Sequence, residues 1–427
     1  MKVASSRYKA WNIKRPRAPL DLLKSVSLAV IVFMTTLAST EHVYLIVTPL
    51  LALSWLILSR VTSSRPIYSL RLVRPVVLIL VVIGSIKTAK TISAILIGDT
   101  YLDIITDVTF FNRWGGAMLW LALFSSMALI FSNTSRSVLG RAIRIAFSVH
   151  VIGFLLQFSV YYVLGFVLDF SHWLGGISAR TASHVMFRAT GFSVEPSTFA
   201  GIIILLFASE ALVTRRVSPR ITLIVASLCI LSYSTAAWFF SAFLIFILLP
   251  VVIKRKSVSV TVVSIAIVIS IVALGSGFVA GQVAKYNRSA GIRGSLITYT
   301  LTERPMWHNI FGGPTNSAGL GLVRAASTYG GDKRKTASLS DGGTAAYLLI
   351  MYGFVGLVFY MLFLVLAYKK LSLSVFLLLF LATITKLTPA TMLFTVLASA
   401  FFIDAFSSSE QRRSVEKSGG ALLFQSS

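Results

Sequence analysis

The run RATGFSVEPSTFA, Arg188 to Ala200, puts a cation, a turn glycine, a carboxylate and a helix start into one short segment. An arginine offers a planar fork of donors and a charge it does not lose, which suits phosphate. A carboxylate beside it can accept the proton of an attacking hydroxyl. Pro196 fits a first helical position, where its missing N–H would be unpaired anyway. Glu195 then stands at the positive end of the helix dipole, which favours the charged form. An ionisable pair at the mouth of an apolar helix is costly to keep in a membrane and marks a functional site by default.

A second hydrophilic segment, about Ala280 to Gly343, carries Lys285, Arg288, Arg293, Arg304, Arg324, Lys333, Arg334 and Lys335 against Glu303, Asp332 and Asp341. Together the two segments point to a pyrophosphate held by Arg180, Arg188, Arg288 and Arg293. Sugar transfer from a pyrophosphate needs charge stabilisation on the leaving group and one base for the acceptor hydroxyl. Glu195 and Asp341 each adjoin a helix start, and either suits that base. Tyr299 and Trp307 are candidates for stacking on sugar rings, against the alternative that they anchor at the membrane interface. The chain has no Asp-x-Asp pair and no His or carboxylate cluster of metal spacing, so neither a metal nor a cofactor is expected. Asp99, Asp103 and Asp107 share one helical face and read as a solvated acidic surface. His150 and Gln157, each alone in an apolar run, read as interhelical hydrogen bonds. Cys229 is the single cysteine, which excludes an internal disulfide.

These residues need a scaffold, and the composition says which kind. Of 427 residues, 56% are hydrophobic and 12% charged, the balance of an all-α polytopic membrane protein. The net charge of +25 follows from Lys and Arg gathered in cytoplasmic loops and facing anionic lipid, so no nucleic-acid partner is expected. Runs of spanning length predict about 12 transmembrane helices with both termini in the cytoplasm. The expected spans include Trp114 to Phe131, a fifth helix ending near Leu168, Pro196 to Val213, a hairpin over Ile221 to Ile253 broken near Ser232, and Val258 to Phe278. Thr344 to Ala367 and two further helices complete the set. The chain reads as one integral membrane domain, 1–427. Two external loops, 169–194 and 280–343, carry the site, and residues 406–427 form a cytoplasmic tail.

At these residues the chain resembles the O-antigen and exopolysaccharide polymerases of the Wzy type, and more loosely the O-antigen ligases. The family's Arg, Gly and helix-opening Glu-Pro-Ser are matched by Arg188, Gly191, Glu195, Pro196 and Ser197, and Arg180 stands eleven positions before Gly191. Arg293, Trp307 and the turn FGGPTNSAGLG, Phe311 to Gly321, are similar to a second family segment. The run DGGTAAYLLIMYGFVGLVFY from Asp341 is similar to a third. The related ligases carry a His where this chain has Asp341, which favours a polymerase.

The resemblance implies a C-type glycosyltransferase architecture in the bacterial inner membrane with chemistry on the periplasmic face. It implies an undecaprenyl-pyrophosphate-linked glycan as both donor and acceptor, and a chain-length regulator, a polysaccharide co-polymerase, as partner. Two alternatives stay open: an O-antigen ligase, which differs in acceptor, and a lipid-linked oligosaccharide flippase. A flippase would show internal repeats with paired broken helices and charges at mid-membrane depth.

Overall fold

The computed structural model describes residues 18–37, 42–61, 107–176, 178–179, 181, 187–255, 301–302, 306–312, 343–389 and 391–402, with isolated positions 81, 85 and 88. The regular elements among the described residues are helices, in chain order α1 (Ala18–Leu37), α2 (His42–Val61), α3 (Asp107–Asn133), α4 (Arg136–Leu164) and the single turn α5 (Phe170–Trp173). Then come α6 (Pro196–Thr214), α7 (Pro219–Leu231), α8 (Thr235–Arg255), the short α9 (Met306–Phe311), α10 (Gly343–Lys370), α11 (Leu373–Ile384) and α12 (Met392–Phe402). Residues Pro19–Leu37 of α1, together with α4, α6 and α10, are long and apolar enough to cross a membrane. The span expected over Val258 to Phe278 lies outside the described residues.

The sequence PSTFAGIIILLFASEALVT of α6 is apolar all round, and a helix without a polar face belongs inside a bundle. Accordingly 83% of its apolar stretch is buried, against 44% in α1, 39% in α4 and 28% in α10. Helices α4, α7, α8 and α11 pack around it, and α1 packs on the far side of α4. By contrast α10 leaves Phe354, Val358, Phe359, Leu362, Val365 and Leu366 exposed, an apolar band too large for a face in water.

Helices α4 and α6 run antiparallel. A Cβ on Gly140, near the start of α4, would lie 3.2 Å from Thr214 Cγ2 at the end of α6, whereas Gly191, ahead of α6, packs on Phe154. Helix α10 starts where α11 ends, because a Cβ on Gly343 would sit 3.1 Å from the Ile384 carbonyl oxygen. Arg136, Arg141, Arg215, Arg216, Lys369 and Lys370 therefore gather at one end of the bundle, and the loop carrying Glu195 lies at the other. Near the basic end, buried Glu210 of α6 accepts from Arg144 of α4, with Nε at 3.0 Å.

Several boundaries differ from the sequence expectation, each for a local reason. Helix α3 begins at Asp107 instead of Trp114. Helix α4 stops at Leu164 because Gly165 takes a left-handed φ of 75° and returns its N–H to the Tyr161 carbonyl. The hairpin expected over Ile221 to Ile253 is present as α7 and α8, turning at Ser232 to Ser234 with Tyr233 at φ 49°. Its first helix is short, as expected. Helix α11 has 12 residues, or about 18 Å at 1.5 Å per residue, well under the roughly 30 Å of a bilayer core.

Candidate functional site

The loop between α4 and α6 folds back into the bundle. Gly191, at φ 57°, sits against the backbone of Phe154 and the ring of Phe199, and Phe192 fills the space over Gly153. Since α4 continues from Phe154 to Leu164, the loop lies about 15 Å short of that helix's end. The Phe154 and Phe199 rings stack beneath it at 4.5 Å, and Phe187 stacks on Tyr161 at 3.9 Å. The head of α6 is thus recessed behind an aromatic wall.

A buried amide holds this shape. Gln157 Oε1 accepts the backbone N–H groups of Thr190 at 2.7 Å and Gly191 at 2.9 Å, while its Nε2 donates to the Leu168 carbonyl at 2.6 Å. The sequence reading of Gln157 as an interhelical bond is corrected here: a loop with unpaired N–H groups dips to the depth of this side chain and takes its amide. His150 does join two helices, its Nε2 lying 2.7 Å from Thr36 Oγ1 of α1, and its ring meets Phe192 edge-on. Further out, Asp169 caps α5 by accepting from His172 N and also accepts from Ala179 N, both at 3.0 Å.

Glu195 has the extended backbone of a helix cap, and its carbonyl accepts from Phe199 N at 3.0 Å. Its carboxylate makes no capping bond. Instead Oε2 accepts from Lys386 Nζ at 3.1 Å and from Ser197 Oγ at 3.4 Å. Arg188 is half-buried, its backbone N–H given to the Thr181 carbonyl at 2.8 Å. Burial draws its guanidinium below the usual arginine range, and the negative charge of Glu195 opposes that shift. A carboxylate thus stands within the influence of two cations, one from the loop and one from the α11–α12 connection. The buried hydroxyls of Thr190, Ser193 and Thr344 make no hydrogen bond among the described residues.

Lys386 was not singled out by sequence reasoning. Its signal is a lone lysine within Thr383, Thr385, Thr388 and Pro389, a polar interruption between two apolar stretches. The chain there is extended at Thr385, and Leu387 and Thr385 seat against Gly201 of α6.

Of the residues expected at the site, Arg188 and Glu195 are described and lie together. Arg180, Arg288, Arg293, Tyr299 and Asp341 lie outside the described residues, although Gly343, two positions after Asp341, packs on Ile384 beside the Lys386 segment. Trp307 belongs to α9 by its backbone. That element abuts α10 where Gly353, at φ 66°, breaks the helix, and Gly312 packs on the Met351–Tyr352 backbone. The described part of the second stretch, Met306 to Gly312, therefore meets the third at a helix kink. Among the described residues, no group of three or more His, Cys, Asp or Glu side chains gathers to hold a metal. Comparison of the chain with protein-family models, with curated proteins and with solved structures finds no match.

Proposed function

We propose that the chain is a polysaccharide polymerase that joins undecaprenyl-pyrophosphate-linked repeat units at the periplasmic face of a bacterial inner membrane. The observation that carries this reading is the Glu195 carboxylate at the head of the most buried helix, with Arg188 and Lys386 bearing on it. It lies at the end of the bundle opposite Arg136, Arg141, Arg215, Arg216, Lys369 and Lys370, and short basic segments of that kind mark the inner end by the charge rule. About twelve spans, the outer loops 169–194 and 280–343, and a C-type glycosyltransferase arrangement belong to the same proposal.

In this reading Arg188, with Arg180, Arg288 and Arg293, grips the donor's pyrophosphate. The acceptor's hydroxyl oxygen attacks the donor's anomeric carbon as the bond from that carbon to the pyrophosphate oxygen breaks. The electron pair leaves with the pyrophosphate, where guanidinium groups stabilise it. The hydroxyl proton passes to a carboxylate, Glu195 or Asp341. Tyr299 and Trp307 stack on the sugars, and a chain-length regulator sets when elongation stops.

Glu195→Gln and Arg188→Ala, made separately and compared by surface-glycan gel at equal membrane abundance, test the proposal. The expected result is loss of the long-chain ladder with single repeat units still capping the surface lipid. Absence of any capped lipid would point to a ligase or flippase and overturn the reading.

A further inference from the structure

We infer that Lys386 is a positioning residue, which from the break between α11 and α12 keeps the Glu195 side chain ionised and fixed for proton acceptance. This rests on the reading of Glu195 as the base. Helix starts are capped by short side chains, Asp, Asn, Ser and Thr, that accept from the first free N–H groups, and the longer Glu is not among them. Glu195 has the cap's backbone and leaves that bond unmade, its oxygen going to Lys386 at 3.1 Å. The two side chains retain only 20% and 27% exposure, so solvent screens the contact incompletely. An ammonium this close favours the carboxylate over the neutral acid.

The segment that carries the lysine is anchored on both sides. Thr385 Oγ1 donates to the Ala382 carbonyl at 2.8 Å and ends α11. The flanking Leu387 and Ile384 lie against Gly201 of α6 and Gly343 of α10, where an added Cβ would sit 3.2 Å and 3.1 Å from them. A lysine inside an apolar bundle is expensive unless it has a partner, and the break between α11 and α12 gives Lys386 that partner in Glu195. The titratable groups at this end come from several elements. Among the described residues they include Arg188 of the loop, Lys386 of the break, His150 of α4, already engaged by Thr36 and Phe192, Tyr161 and Tyr162 of α4 against Phe187, Asp169 and His172 at α5, Tyr233 between α7 and α8, and Tyr347 in α10.

The test uses the full chain in proteoliposomes, unmodified and as Lys386→Met, Lys386→Arg and Lys386→Met/Glu195→Gln. Infrared spectra followed as pH is lowered read the carboxylic-acid band that the double variant lacks, and polymerisation of lipid-linked repeat units is timed over the same range. In Lys386→Met, Glu195 should protonate about one pH unit or more above the unmodified chain, the acid side of the rate profile moving with it. Lys386→Arg should restore both. An unmoved band and profile in Lys386→Met, or a shift equally large in Lys386→Arg, would overturn the inference. Lys386→Gln carries the same expectation should the methionine variant fail to insert. If Glu195→Gln polymerises at the normal rate, Glu195 is not the base, and the infrared titration still decides what Lys386 does to it.

Discussion

At the scale of single residues, the site depends also on a side chain that takes no part in proton transfer. Gln157 satisfies two backbone N–H groups of the loop and one carbonyl. Each buried group left unpaired costs about 1–3 kcal/mol. Gln157→Leu should therefore lower the thermal unfolding midpoint in detergent and slow polymerisation at least tenfold, without moving its acid limb. Arg188→Lys should keep the charge and lose the planar fork, so KM for the lipid-linked substrate should rise more than kcat falls. Because a base must be ionised to accept a proton, the rate should decline as pH falls, and the residual rate of Glu195→Gln should lose that dependence. Arg188 and Glu195 were legible in the sequence, since their types state their chemistry. Lys386 and the partners of Gln157 were not, because a lone polar residue in an apolar run names no direction.

Elements set where those residues stand. The head of α6 was readable from Pro196 and the apolar run after it, and the α7–α8 hairpin from the polar interruption near Ser232. What sequence could not give is depth. The loop before α6 descends along α4 because Gly153 and Gly191 permit close approach of Phe192 and Phe154, a property of two surfaces together. The kink in α10 is a similar case. A Cβ on Gly353 would lie 2.5 Å from the Asn309 carbonyl oxygen, at a φ of 66° that side chains rarely adopt. Gly353→Ala should cost about 1–3 kcal/mol from backbone strain alone and detach α9, which limited proteolysis near Met306 would report as faster cleavage.

For the whole molecule, the proposal puts the chemistry at the end away from the basic residues of α4, α6 and α10. Basic residues crowd the end where α4 starts and α6 stops, and the recessed carboxylate lies at the other. In a Cys229→Ala background, Ser178→Cys should react with a membrane-impermeant thiol reagent applied from outside. Arg216→Cys should react only after the membrane is opened. The reverse labelling would put the site in the cytoplasm. The most direct measurement reconstitutes the purified chain with lipid-linked repeat units and follows glycan length together with release of the carrier diphosphate. The account predicts lengthening products with one carrier diphosphate freed per linkage, and both falling steeply and together in Glu195→Gln. Elongation and release that persist unchanged in that variant would contradict it.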